Sequence, residues 1–155
     1  MKIIYATDGS AGAATAGRLL AALPLPPDTQ ITVLSAIPEP GWTPVPALGA
    51  EASSYPLMEQ VAAHEHAEAL RTAEAAAAPL RERGLRVTVS VRRHKPVEAI
   101  LEQAREDDTD LIVVGSHGMG AVERFLIGSV SERVARYAHC SVLVARGETI
   151  GRAIV

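Results

Sequence analysis

The sequence predicts an α/β fold, an open, doubly wound sheet of five parallel strands in the order 3-2-1-4-5 with helices on both faces. Three observations lead there. Apolar, β-branched runs alternate five times with helical patterns over residues 2–145, and such alternation with short connections demands a parallel sheet covered on both sides. A glycine-rich loop follows one of those runs directly and opens a helix. The turn formers Asp8-Gly9-Ser10 close the first run in the same way. In the order 3-2-1-4-5 the first and fourth strands are neighbours, so both turns meet at one crevice.

Residues 2–7 (KIIYAT) form the first strand. Ser10 is placed to cap the helix predicted over 11–23, where Leu19, Leu20 and Leu23 recur on one face. Pro24, Pro26 and Pro27 stop it. Residues 30–37 (QITVLSAI) form the second strand, nearly apolar throughout, as a strand buried on both faces is. From 38 to 56, Pro38, Pro40, Pro44, Pro46, Pro56, Gly41 and Gly49 forbid regular structure and predict a loop of about 19 residues. Loops this long are usually lids, binding loops or mobile segments. Trp42 lies in it, a candidate to pack on a ligand's base, on a partner subunit or on the body of the domain.

A long helix follows over 57–83, with Val61, Leu70, Ala73, Ala77 and Leu80 as its apolar stripe and Gly84 as its C-cap. Pro79 predicts a kink or an early stop. His64 and His66, beside Glu65 and Glu68, sit two apart and so diverge on a helix, which argues against a metal site. Residues 85–92 (LRVTVSVR) alternate apolar and polar, as a strand at the sheet edge does. The basic run Arg92-Arg93-His94-Lys95 reads as a solvated loop. A helix starting at Lys95-Pro96 buries Val97, Ile100, Leu101 and Ala104 and ends at Asp107-Asp108-Thr109. The fourth strand covers 110–114, the last helix 130–138 and the fifth strand 140–145 (CSVLVA). Residues 1–146 form one domain, and 147–155 a tail with no clear period.

Composition narrows the function. The chain has 155 residues, 48% of them hydrophobic, enough to bury one core. A net charge of −3 argues against a nucleic-acid or anionic-membrane partner. One cysteine excludes an internal disulfide and any multi-cysteine metal site, and Cys140 reads as a small buried residue. No apolar run approaches 18 residues and the N-terminus enters a strand at once, so a cytoplasmic protein with no membrane partner is expected.

The informative stretch is GSHGMGAVERFLIGS, residues 115–129. Its pattern G-x2-G-x9-G-S, between a strand and a helix, lets the backbone turn sharply, approach a ligand closely and enter a helix with N–H groups exposed. That suits a phosphate better than a turn that only eases packing. Ligands of doubly wound sheets bind beyond the strand ends where strand order reverses. At that point Asp8 has two candidate roles: accepting bonds from sugar hydroxyls, or making an Asx turn into the first helix. Ala36, ending the second strand, is placed to offer its backbone to an adenine edge.

The opening KIIYATDGS, the segment DLIVVGSHG, the complete glycine pattern and the following SERVARYAHCSVLVAR resemble the universal stress protein family over nearly the whole chain, apart from the proline-rich loop and the tail. The resemblance implies a five-stranded, Rossmann-like nucleotide-binding fold, commonly a homodimer through the last strand (140–145), and, with the complete pattern, ATP binding. At the matching positions Asp8 would hold the ribose, and Ala6 and Thr7 would line the base pocket. Gly115, Gly118, Gly128, Ser129 and Val130, with Met119 beside them, would cradle the phosphates, and Mg2+ would come with the nucleotide. The chain departs from the family in three places. His117 and Met119 stand where the family often has basic residues, leaving Arg124 as the loop's only fixed cation, so phosphate binding rests more on backbone dipoles. His94-Lys95 replaces the usual glycine before Pro96, and Ser141 stands where proline is common.

The expected function is that of an ATP-binding stress-response protein, not an enzyme, whose nucleotide alters its contacts with itself or with a protein partner. The loop has no lysine of the G-x4-G-K-[ST] kind and no evident base beside a water, so slow hydrolysis at most is expected. Two alternatives stand beside it: a weak ATP hydrolase or nucleotidyl transferase using His117 or Arg124, and a nucleotide-free interaction module.

Overall fold

A computed structural model describes residues 1–39, 55–118 and 127–146. Most of the proline-rich loop with Trp42, the loop residues Met119 and Arg124, and the tail lie outside the described residues. Nine elements follow one another: β1 (Lys2–Ala6), α1 (Ala11–Ala22), β2 (Gln30–Ile37), α2 (Tyr55–Glu82), β3 (Arg86–Arg93), α3 (Pro96–Glu106), β4 (Leu111–Gly115), α4 (Ser129–Tyr137) and β5 (Ser141–Ala145). The five strands form one parallel sheet in the order β3-β2-β1-β4-β5. This is the predicted topology.

The two-residue period of the strands builds two cores. Ile3 and Tyr5 of β1, Ile31 and Val33 of β2 and Val113 of β4 turn to the face covered by α1 and α2, against Leu20, Ala73, Ala77 and Leu80. Ile4, Leu34, Ile112 and Val114 turn the other way, against Val97, Ile100, Leu101 and Ala104 of α3 and Val134 of α4. Each fully buried aliphatic side chain contributes about 1.5–3 kcal/mol, so a strand shifted by one residue would lose both faces at once. Tyr5 is buried and donates its hydroxyl proton to the Ala13 carbonyl at 2.7 Å. Burial pushes its phenol pKa up, and its ring fills the space beside Gly17 of α1.

Several expectations need correcting. α2 begins at Tyr55, so Pro56 lies in its first turn, where the missing N–H would have no helical partner. It runs on through Pro79 to Glu82, because Pro79 and Ala75, whose carbonyl loses its helical donor, both face solvent. Gly84 ends the unit with a φ of 78°, and Leu85 N–H bonds the Leu80 carbonyl at 3.3 Å, a Schellman closure. Val61 and Leu70 are exposed. Nine residues apart, they stand half a turn from each other and cannot share a stripe. The stripe consists mainly of alanines, which let α2 lie close to the sheet.

Only the second half of the basic run is loop, His94 and Lys95 joining β3 to α3. Arg92 and Arg93 close the edge strand β3. Arg92 reaches Gln103 at 2.7 Å and pairs with Glu106, while Arg93 pairs with Glu65 at 2.8 Å. Charged side chains of this kind also keep a sheet edge from pairing with other chains. Cys140 precedes β5 and packs against the α3–α4 core, where burial raises its thiol pKa. No helix among the described residues is long and apolar enough to cross a membrane.

Candidate functional site

Between β1 and β4 the strand order reverses, and there the carboxyl ends of the strands open into a cavity of about 900 Å³. That volume is in the range of small-molecule pockets. The cavity brings together nine of the predicted positions: Ala6, Thr7, Asp8, Ala36, Gly115, Gly118, Gly128, Ser129 and Val130. The tenth, Met119, lies outside the described residues.

At one end lies the glycine motif. Its glycines are required for space, since the only glycines with positive φ among the described residues are Gly9 and Gly84. A Cβ on Gly115 would sit 2.5 Å from the Gly12 carbonyl carbon and 2.7 Å from Ala13 N, so the first turn of α1 rests directly on the end of β4. Gly12 returns the contact, its Cβ position lying 2.3 Å from the His117 carbonyl oxygen. On Gly118 a Cβ would meet the Asp8 carboxylate at 2.6 Å. α4 starts at Gly128, which has an extended backbone and no side chain to cap the helix. The N–H groups of its first turn are therefore left to acceptors outside the helix, at the positive end of its dipole.

Asp8 makes the Asx turn weighed for it, and its carboxylate also faces the cavity. Its Oδ1 accepts from Ser10 N–H at 2.9 Å, the Asx turn, and its carboxylate lines the cavity with Oδ2 beside Gly118. At the other end the walls are apolar, from Ala6, Leu34, Ile37, Ile100 and Val114. One backbone edge lies open there. Leu34 carbonyl accepts from Thr7 N–H at 2.9 Å, so Leu34 faces β1, while Ile37 carbonyl accepts from His94 N–H and faces β3. Backbone groups alternate sides along a strand, and Ala36 therefore turns its N–H and C=O toward β1, whose last residue in the ladder pairs with Leu34. A donor and an acceptor stand side by side at the cavity wall.

The structure adds residues that sequence reasoning missed. His64, Glu65, Glu68, Ala69 and Thr72 of α2 form a further wall, with Thr72 packed against Gly9. Their spacing marked a helix face without saying what it faces. The described lining residues include three carboxylates, Asp8, Glu65 and Glu68, and no lysine or arginine, so among them an anion meets backbone dipoles, hydroxyls and imidazoles but no fixed cation. Glu65 and Glu68 are compensated from outside by Arg93 and Arg71. His117 lines the cavity, its Nδ1 3.0 Å from Ser116 Oγ.

Comparison with known proteins bears on the family and the fold. The model of the Universal stress protein family matches residues 1–146. Universal stress protein MJ0531 of Methanocaldococcus jannaschii is 31% identical over 145 residues, which is 94% of this chain and 81% of that protein. A putative universal stress protein of Staphylococcus aureus is 53% identical over 47 residues, 30% of this chain and 28% of its own. Among solved structures, the protein MJ0577, subject of a structure-based assignment of biochemical function, superposes with a TM-score of 0.79 at 26% identity, covering 95% of this chain and 96% of that one. An Arabidopsis thaliana family protein with AMP bound superposes at 0.64 with 17% identity, covering 96% and 93%. A universal stress protein in complex with cAMP superposes at 0.52 with 24% identity, covering 94% and 96%.

Proposed function

The chain belongs to the universal stress protein family, and from that premise and the geometry of its crevice we propose that it is a cytoplasmic, ATP-binding regulatory protein. The observation that carries the reading is the uncapped first turn of α4 at Gly128, facing the same cavity as the open N–H and C=O of Ala36. The first offers backbone donors to phosphates. The second matches an adenine edge, which presents an acceptor nitrogen beside an amino group, and opposes guanine, whose N–H and C=O stand in reversed order. Asp8, between them, is placed for the ribose hydroxyls. Family proteins of the same fold hold AMP and cAMP, and that ligand class comes to this chain as part of the proposal. Mg2+ arrives with the nucleotide and offsets the carboxylates that share the cavity.

The protein binds ATP without turning it over efficiently. No lysine stands in the phosphate loop and Asp8 is nearer the sugar position than the terminal phosphate. Two copies associate through β5, an edge strand with an apolar run, and the nucleotide modulates that contact or one with a protein partner.

The test is to denature protein purified without added nucleotide and identify what is released, for wild type and Gly128→Val. Adenine nucleotide near one per chain, absent from the variant, is the expected result. ATP at a hundred times its dissociation constant should also stabilise the wild type by about 2.7 kcal/mol, with GTP far weaker. Wild-type protein that releases nothing and takes up no ATP with magnesium would overturn the reading.

A further inference from the structure

The phosphate half of the crevice is made of two segments, residues 115–118 and 128–131, that the chain separates and a single carbonyl holds together. Ser116 is buried, 3% exposed, and its carbonyl accepts twice. Gly128 N–H donates to it at 2.6 Å and Ser131 Oγ at 3.2 Å. The same Ser131 hydroxyl lies 2.9 Å from the Gly128 carbonyl, so its one proton is shared between both sides of the gap. Ser131 is itself buried, 2% exposed, and belongs to the first turn of α4. On its other side the Ser116 amide donates to the Ala145 carbonyl at 2.7 Å, which ties the carbonyl's position to the last residue of β5.

We propose that Ser131 is a positioning residue for the nucleotide's phosphates: its hydroxyl staples the first turn of α4 to the Ser116 carbonyl and so sets the aim of the uncapped N–H groups. The inference rests on the adenine-nucleotide reading above. Ser131 lies outside the glycine pattern and its side chain is committed to two protein carbonyls. It acts through the backbone donors beside it. Without the hydroxyl, the Ser116 carbonyl keeps only the Gly128 bond, and the first turn is free to rock about it. A ligand group that depends on several N–H groups at once then loses affinity, while the base and ribose, held by the ends of β1 and β2, do not.

The experiment compares ATP and adenosine affinities by calorimetry, with magnesium, for wild type and three full-length variants. Ser131→Ala removes the hydroxyl. Ser131→Thr and Ser131→Val form a pair of equal shape, one with the hydroxyl and one without, so strain from the added methyl is common to both. The expected result is ATP affinity three- to tenfold lower in Ser131→Ala and Ser131→Val, adenosine affinity within twofold of wild type throughout, and ATP affinity restored in Ser131→Thr relative to Ser131→Val. Loss of thermal stability with an unchanged ATP-to-adenosine ratio would overturn the inference and leave the site reading intact. Wild-type protein that binds neither compound would sink the site reading, and this inference with it.

Discussion

Among the helices that begin at the crevice, α1 and α4 begin differently. α1 is finished by the protein: Ser10, in extended conformation, accepts the Ala13 N–H with its hydroxyl at 3.1 Å and lies 3.3 Å from the His117 carbonyl, to which it donates. α4 opens on Gly128 in a similar backbone conformation, with φ −60° and ψ 151°, but without a side chain. A serine or aspartate there would cap the helix, worth about 1 kcal/mol. It is also sterically excluded, since a Cβ on Gly128 would lie 2.8 Å from the Ser116 carbonyl oxygen. The contrast separates two uses of the same local structure. α1 is a wall whose end is closed, and α4 leaves its first-turn N–H groups open at the cavity, the end that the proposed function gives to phosphate.

The strongest way to break the contrast is to part α1 from the end of β4. Gly115→Ala places a methyl group against backbone atoms of Gly12 and Ala13 at 2.5–2.7 Å, and backbone cannot rotate aside. We expect a loss of about 3 kcal/mol or more, read as a fall in the urea midpoint. A loss below about 1 kcal/mol would mean that α1 does not rest on β4 as closely as described. A gentler change sharpens the contrast. Ser10→Ala should cost about 1 kcal/mol of stability through the lost cap and leave the ratio of ATP to adenosine affinity unchanged. If that ratio falls as far as in Ser131→Ala, α1 is part of the anion site and the distinction is wrong.

What the sequence revealed, and what it hid, follows the range of the interactions. β2 is legible residue for residue, because Gln30–Ile37 is a β-branched, apolar run whose identity depends on itself. The strand order followed from short connections, and the glycine motif from its position after β4. Gly12 was silent because its reason is the His117 carbonyl, more than a hundred residues away. Ser131 was silent too: a serine in a first turn is ordinary until the Ser116 carbonyl stands beside it. The charge density of Arg92 and Arg93 signals solvent, whereas their partners on α2 and α3 are supplied by folding. The α2 wall could not be placed, since the polarity of His64, Glu65 and Glu68 gave no direction.

The smallest expected effect concerns how α4 is held from its outer side. Glu98, in the first turn of α3, accepts from Arg133 of α4 at 3.1 Å. A bond from its own backbone N–H, then Arg133, holds its carboxyl pKa below the ordinary value. Because the folded-state pKa is depressed, the contribution is fully present above the unfolded carboxylate range, about 4.3, and is lost as pH falls through the folded value. Glu98→Gln should therefore lie slightly below wild type in urea midpoint at pH 7, converge with it as pH falls below about 4, and differ less in high salt. Nucleotide discrimination should not change, because this pair braces the solvent side of α4 while Ser131 aligns the side that meets the cavity. Parallel stability curves across that pH range would show that the ion pair contributes nothing and that α4 is positioned from the Ser116 side alone.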